Sequence, residues 1–158
     1  MTAKIGLEDV RFHAAHGFFD EEQRMGNEFS IDVEVEALVT EAAEYDDLGG
    51  TVNYATIYYL LQAEMKKPTR LLEALAHRMA GRIVNQFDDI VSVRLKVRKL
   101  HPPLGGRVGA AYVEVTLRGD TGGLPAIPGQ HTFEDDPDDF DDLDFGGGGN
   151  FDFSGFGS

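Results

Sequence analysis

The amino-acid sequence predicts an α+β domain with the element order β-β-α-α-β-β. Two segments near the beginning and two near the end alternate apolar and polar residues, which is typical of strands with one buried face. Between them lie two stretches with apolar residues at helical spacing, separated by Pro68. This order predicts one four-stranded antiparallel sheet with both helices covering one of its faces.

The alternation sets the bounds of the four predicted strands, which are residues 4–14, 28–40, 91–99 and 110–117. The second strand has the clearest pattern, because Phe29, Ile31 and Val33 alternate with Ser30 and Asp32. One face of this strand is therefore expected in the core and the other in water.

The two predicted helices cover residues 54–67 and 69–87. Pro68 ends the first, because a proline removes a backbone donor, and Thr69 is the expected N-cap of the second. The second helix carries an apolar stripe formed by Leu72, Leu75, Met79 and Ile83.

Composition divides the 158 residues into a domain and a tail. Residues 1–118 hold 14 basic and 18 acidic residues and so have a formal charge of −4, whereas residues 119–158 hold 10 acidic and no Lys or Arg residues. This acidic, Gly/Phe-rich tail lacks the apolar area needed to offset the entropy of ordering, so we expect it to be disordered. Its function stays open between a solubility tail and an acidic–aromatic docking segment.

The composition argues against several classes of function. There is no basic stripe for nucleic acid, no cysteine for disulfides or thiolate chemistry, and no leader or apolar run for a membrane. We therefore expect a cytoplasmic protein with neither nucleic-acid nor membrane partners. His13 and His16 would point to opposite faces of a strand, so no metal site and no cofactor is predicted.

Four side chains form a candidate acid–base set: Glu22, Tyr54, Glu73 and Lys99. Lys99 has the strand parity of Val97 and so should lie at the end of the apolar face. Desolvation there would favour the neutral amine, which suits proton transfer, although a lysine that snorkels to solvent fits the parity equally well.

The other three members are weaker candidates when each is taken alone. Glu73 falls in the first turns of the second helix, where the helix dipole favours a carboxylate and apolar neighbours suggest partial burial. Tyr54 opens the first helix, a position more often used for interface packing. Glu22 lies in the acidic run 20–22 and would by default be solvated.

Taken together, these residues resemble the motifs of the dihydroneopterin aldolase family, in order and with similar spacing across residues 4–118. The matching residues are His16-Gly17, Glu22, Gly26, Thr51-Val52-Asn53-Tyr54, Leu71-Leu72-Glu73, Lys99 and Pro102-Pro103. The resemblance implies the tunnelling fold, in which the sheets of several subunits join into a barrel. It also implies a homo-tetramer or homo-octamer with active sites at the subunit boundaries.

The resemblance further implies retro-aldol cleavage of 7,8-dihydroneopterin in folate biosynthesis, an aldehyde-lyase reaction that needs neither a Schiff base nor a metal. Lys99 would donate and accept protons, and Tyr54 of a neighbouring subunit would assist it. Glu22 would orient the substrate hydroxyls. The pterin would be held by Glu73 and by backbone groups of Leu72, Val52 and Asn53.

Two other functions stay open from the sequence. A 2′-epimerase of dihydroneopterin or its triphosphate would use the same chemistry, but a triphosphate needs a basic cluster, for which only Arg98, Lys99 and Arg107 are candidates. A non-catalytic pterin-binding or scaffold protein is the second alternative, and the presence of both Lys99 and Tyr54 argues against it.

Overall fold

The computed structural model describes residues 1–120 and confirms the predicted element order, with two short helices and a 3₁₀ turn added. The elements are β1 (Thr2–Ala14), α1 (Asp20–Met25), β2 (Asn27–Leu38), α2 (Thr40–Tyr45), the 3₁₀ turn (Leu48–Gly50), α3 (Tyr54–Met65), α4 (Leu72–Gln86), β3 (Ile90–Leu100) and β4 (Ala110–Arg118). The tail predicted over 119–158 lies outside the described residues, except for Gly119 and Asp120.

The four strands form one antiparallel sheet, as predicted, and their order in it is β1-β2-β3-β4. Ala14 pairs with Asn27, Phe29 pairs with Lys99, and Leu100 pairs with Ala110. The end of β1, the start of β2, the end of β3 and the start of β4 therefore lie at one end of the sheet. Lys99 and the α1 connection between β1 and β2 are at this end.

The core lies between the sheet and the two long helices. α4 packs on β3 and β4, whereas α3 packs on β1 and α4. Alternate residues of the two central strands face the helices and are buried, including Phe29, Ile31, Val35, Val93, Leu95 and Val97. Burial of such side chains stabilises the fold by about 1.5–3 kcal/mol each before the entropy of ordering is counted.

The opposite face of the sheet is charged. Its ion pairs join Lys4 to Glu34, Arg11 to Asp9 and Glu28, Arg94 to Glu114, and Arg98 to Asp32. A broad concavity of about 980 Å³ lies over this face, and none of the predicted site residues lines it. Its Arg and Lys side chains are engaged with carboxylates or, for Lys96, with the Tyr112 ring, so the concavity is not where we place the chemistry.

Several predicted boundaries are shifted, among them the end of α3, which is at Met65 rather than at residue 67. Two of the shifts have identifiable reasons. β2 ends at Leu38 rather than at residue 40, because the backbone turns at Val39 and Thr40 begins α2. α4 begins at Leu72 with Leu71 as its N-cap, not at Thr69. The Thr69 hydroxyl instead donates to the Lys67 carbonyl, and the Thr69 N–H donates to His16. Of the helices in residues 1–120, none is long and apolar enough to span a membrane.

Candidate active site

Lys99 and Glu22 form a close ion pair on the helix-covered side of the sheet. Lys99 Nζ donates to Glu22 Oε1 at 2.6 Å, and the two side chains are only 12% and 11% exposed. Strand parity places Lys99 on this face, where its cross-strand neighbour is the buried Phe29. An amine and a carboxylate from positions 77 residues apart thus meet in a partly desolvated place.

The short helix α1 holds Glu22 in position. The second carboxylate oxygen of Glu22 accepts the Phe19 backbone N–H at 3.2 Å, and α1 has three acidic residues in its first turn, where the helix dipole favours them. Gly26 ends the helix with φ of 70°, a conformation that favours glycine. The default interpretation of Glu22 as a solvated loop residue is therefore wrong.

The environment keeps Glu22 ionised. Burial alone would raise the pKa of the Glu22 carboxyl, but the hydrogen bonds from Lys99 and the Phe19 N–H outweigh burial and lower this pKa below its ordinary value. The carboxylate is therefore charged when Lys99 approaches it, and it can orient either the ammonium group or a hydroxyl that takes its place.

The start of α3 carries a second group of predicted site residues. Asn53 caps the helix, its side-chain oxygen accepting the Ala55 N–H at 2.9 Å, and this places Tyr54 in the first turn. Val52 is buried in the core, whereas Tyr54 is 61% exposed. Among the hydrogen bonds within residues 1–120, none connects Tyr54 to Lys99 or Glu22.

The start of α4 carries the third group. Leu72 is half-buried at the first helical position, and Glu73 follows it in the first turn. Glu73 is exposed, so the partial burial predicted for it is wrong for the single chain. Leu71 supplies no side-chain cap, which leaves the first N–H groups of this 15-residue helix without a side-chain acceptor from that residue.

Sequence reasoning missed a buried carboxylate behind this third group. Glu64 is 1% exposed and accepts hydrogen bonds from Lys67, Arg78 and Arg82 at 2.8–3.0 Å. Burial alone would raise the pKa of Glu64, but these three cations lower it to about 2. Arg78 and Arg82 lie four residues apart on α4, a spacing that puts both on one helix face and that the sequence already contained.

Comparison with known proteins identifies the family. The family model described as FolB, dihydroneopterin aldolase, matches residues 5–117. The chain is 33% identical over 116 residues to the dihydroneopterin aldolase of Bacillus subtilis, covering 73% of this chain and 97% of that protein. The chain belongs to the dihydroneopterin aldolase family.

Solved structures share the fold. The Escherichia coli dihydroneopterin aldolase in complex with neopterin superimposes with a TM-score of 0.67 at 22% identity, covering 73% of this chain and 98% of the other. The Burkholderia dihydroneopterin aldolase bound to guanine gives a TM-score of 0.60 at 19% identity, with 75% and 93% covered. The tunnelling fold inferred from the sequence is confirmed for the single chain.

Proposed function

We propose that this chain is an aldehyde-lyase that converts 7,8-dihydroneopterin into 6-hydroxymethyl-7,8-dihydropterin and glycolaldehyde. The observation that carries the proposal is the Lys99–Glu22 pair, a proton-transfer group held by a carboxylate in a member of this family. The naming of the Bacillus subtilis relative and the neopterin bound to the Escherichia coli protein support this choice of substrate.

The reaction breaks the C1′–C2′ bond of the side chain. The neutral amine of Lys99 takes the proton of the 2′-hydroxyl, directly or through a water, and C2′ becomes the aldehyde carbon of glycolaldehyde. The electron pair of the broken C1′–C2′ bond forms a C1′=C6 double bond, and N5 takes a proton from water. Lys99 then delivers a proton to C1′, and N5 releases its own. The pterin ring is the electron sink, so the protein supplies proton transfer and positioning.

Glu22 is proposed to hold the hydroxyls of the trihydroxypropyl chain beside Lys99. Its Oε1 accepts from Lys99 and its Oε2 accepts from the Phe19 N–H, and a carboxylate has about four lone-pair sites in all, so it can also accept from hydroxyl donors. A substrate hydroxyl that binds Glu22 would therefore lie within reach of the Lys99 amine.

Glu73 is proposed to bind the 2-amino and ring N–H groups of the pterin. These two donors point in one direction and match the two oxygens of a carboxylate. Guanine, bound to the Burkholderia relative, has the same amino and N–H edge. Backbone groups of Leu72, Val52 and Asn53 would complete the pterin pocket.

Tyr54 is proposed to act in the site of a neighbouring subunit of a homo-tetramer or homo-octamer. Its side chain lies in the first turn of α3 and is 61% exposed in the single chain. β1 and β4 are the open edges of the sheet, and pairing such edges between subunits closes a barrel. A cytoplasmic location stays a prediction from the sequence.

An anaerobic turnover assay tests the activity directly. The full chain is incubated with 7,8-dihydroneopterin, excess EDTA and no added metal, and the products are separated by chromatography. We expect 6-hydroxymethyl-7,8-dihydropterin and glycolaldehyde in equal amounts. Formation of the 2′-epimer alone, or no reaction, would contradict the proposal.

Subunit mixing tests whether the site is shared. Tyr54→Phe and Lys99→Ala chains, each inactive as a homo-oligomer, are refolded together in equal amounts. If Tyr54 and Lys99 of one site come from different subunits, random assembly leaves about a quarter of the sites with both native residues. Activity near a quarter of the wild-type value supports the shared site, and no recovery contradicts it.

A further inference from the structure

The His16-Gly17 dipeptide lies between the two parts of the proposed site. His16 is 1% exposed, and its Nδ1 accepts the Thr69 N–H at 3.1 Å. The Gly17 N–H donates to the Thr69 carbonyl at 3.0 Å. These two reciprocal hydrogen bonds tie the end of β1 to the loop that leads into α4, three to four residues before Leu72 and Glu73.

Thr69 is also held from the side of the helices. Arg78 donates to the Thr69 hydroxyl through Nη2 and to Glu64 through Nε, both at 2.9 Å. Because Glu64 is on α3 and Arg78 is on α4, the loop between these helices is fastened to both of them. The position of Thr69, and hence the start of α4, is set by contacts on two sides.

Gly17 also touches the catalytic pair. A Cβ at position 17 would lie 2.5 Å from Glu22 Oε2 and 2.6 Å from Glu22 Cβ, so only glycine allows this approach. The Gly17 carbonyl accepts a hydrogen bond from Gln23 at 3.0 Å, which fastens α1 to the same residue. One dipeptide therefore contacts the α4 loop through His16 and the Lys99-bound Glu22 through Gly17.

The buried ring is suited to act as an acceptor. Burial lowers the pKa of His16, and the nearby Arg78 and Lys99 cations lower it further. The Met65 backbone raises this pKa in part, but the net pKa lies below its ordinary value. The neutral ring accepts at Nδ1 and carries its proton at Nε2, which is buried and makes no hydrogen bond of ordinary geometry within residues 1–120.

We propose that His16-Gly17 is a positioning element that sets the distance between Glu73, which holds the pterin, and the Glu22–Lys99 pair, which moves the protons. This inference rests on the proposed function and deepens it. The substrate spans both groups, so a shift of about 1 Å between them separates the reacting atoms from Lys99 and costs on the order of 100-fold in rate. In a site shifted in this way, Glu73 still binds the pterin, so the substrate Kd changes little.

Two exchanges at position 16 test this role. His16→Phe keeps the ring volume and removes the acceptor, whereas His16→Asn keeps an acceptor at the place of Nδ1. We expect His16→Phe to lower kcat at least about tenfold with less than about a threefold change in pterin Kd, and His16→Asn to recover most of kcat. His77→Phe, the same exchange at an exposed histidine of α4, is the matched control and leaves kcat unchanged.

The outcomes separate this inference from the proposed function. A wild-type chain that does not cleave 7,8-dihydroneopterin contradicts the proposed function. An active wild type with unchanged kcat in His16→Phe, or with equal loss in His16→Phe and His16→Asn, contradicts the positioning role. If His16→Phe does not fold, Gly17→Ala decides the matter, because the added Cβ would displace Glu22, whereas Gly81→Ala on α4 meets no atom within 4 Å and is the matched control. A kcat lowered at least about fivefold in Gly17→Ala beside an unaffected Gly81→Ala supports the role, and unchanged kcat in Gly17→Ala contradicts it.

Discussion

Glu64 is a buried carboxylate and Glu22 a largely buried one, and both have cationic partners, yet their surroundings differ. Glu64 has three cations whose side chains are 36–60% exposed, so each cation keeps contact with water while the carboxylate is fully satisfied. Glu22 is paired with a lysine that is nearly as buried as itself, and it also accepts the Phe19 N–H. A fully satisfied carboxylate stabilises a fold, whereas a partly satisfied one can exchange its partner for a substrate.

The largest effect expected from this difference concerns Lys99. Lys99→Ala and Lys99→Arg should both lower kcat by at least about 100-fold, because neither side chain can give and take a proton near neutral pH. Lys99→Arg keeps the charge opposite Glu22 and so serves as the control for stability. Steady-state kinetics with pterin-binding titrations make the measurement, and turnover retained in Lys99→Arg would contradict the proposed role.

Neutralising Glu64 should mainly lower the stability of the fold, whereas neutralising Glu22 should mainly lower turnover. We expect Glu64→Gln to reduce the free energy of unfolding by about 2–3 kcal/mol, since three cations lose their common partner. Glu22→Gln should reduce it by less, about 1–2 kcal/mol, because the amide oxygen still accepts a hydrogen bond from Lys99, and it should impair turnover strongly. Urea unfolding at fixed protein concentration and steady-state kcat are measured for both variants. Equal losses of unfolding free energy in Glu64→Gln and Glu22→Gln would contradict the proposed difference between the two carboxylates.

The loss of stability at acidic pH should depend on Glu64. Its pKa is about 2 in the folded chain, against 4.5 for the unperturbed side chain. A carboxyl with a lowered folded pKa contributes fully above pH 4.5, and the contribution is lost as pH falls from 4.5 towards 2. The difference in unfolding free energy between wild type and Glu64→Gln should therefore shrink over this window. A difference that stays constant from pH 5 to pH 2.5 would contradict the assignment.

The smallest effect is expected at an exposed pair on the other face of the sheet. Lys4 and Glu34 are 62% and 43% exposed, so water screens their attraction. Glu34→Gln should change the free energy of unfolding by less than about 0.5 kcal/mol, with turnover unaffected. If Glu34→Gln lost as much unfolding free energy as Glu64→Gln, solvent exposure would not explain the difference between the Lys4–Glu34 pair and the ion pairs of Glu64.

The sequence predicted the sheet and the long helices because their signals are local. Alternation in 28–40 and 91–99, and the proline at position 68, are properties of neighbouring residues. The helix α1 and the start of α4 were not predicted. The first depends on a glutamate that turns back to the Phe19 N–H, and the second on Thr69 being engaged by His16.

The candidate site, like the fold, could be predicted from the sequence only in part. Strand parity alone placed Lys99 on the apolar face, and the ordered motifs singled out Glu22, Tyr54 and Glu73. No pattern along the chain shows that Glu22 reaches Lys99, or that Gly17 is the residue that lets it approach. Such contacts join positions far apart in sequence, so they exist only after the sheet has brought its ends together.

The sequence by itself therefore determined the fold class and the family, and it singled out the candidate site residues, because periodicity and motif spacing are read along the chain. Only the tertiary structure decided which carboxylate binds Lys99 and which is buried among arginines. The physical reason is that desolvation and hydrogen bonding depend on neighbours in space, and two glutamates alike in sequence differ only in those neighbours.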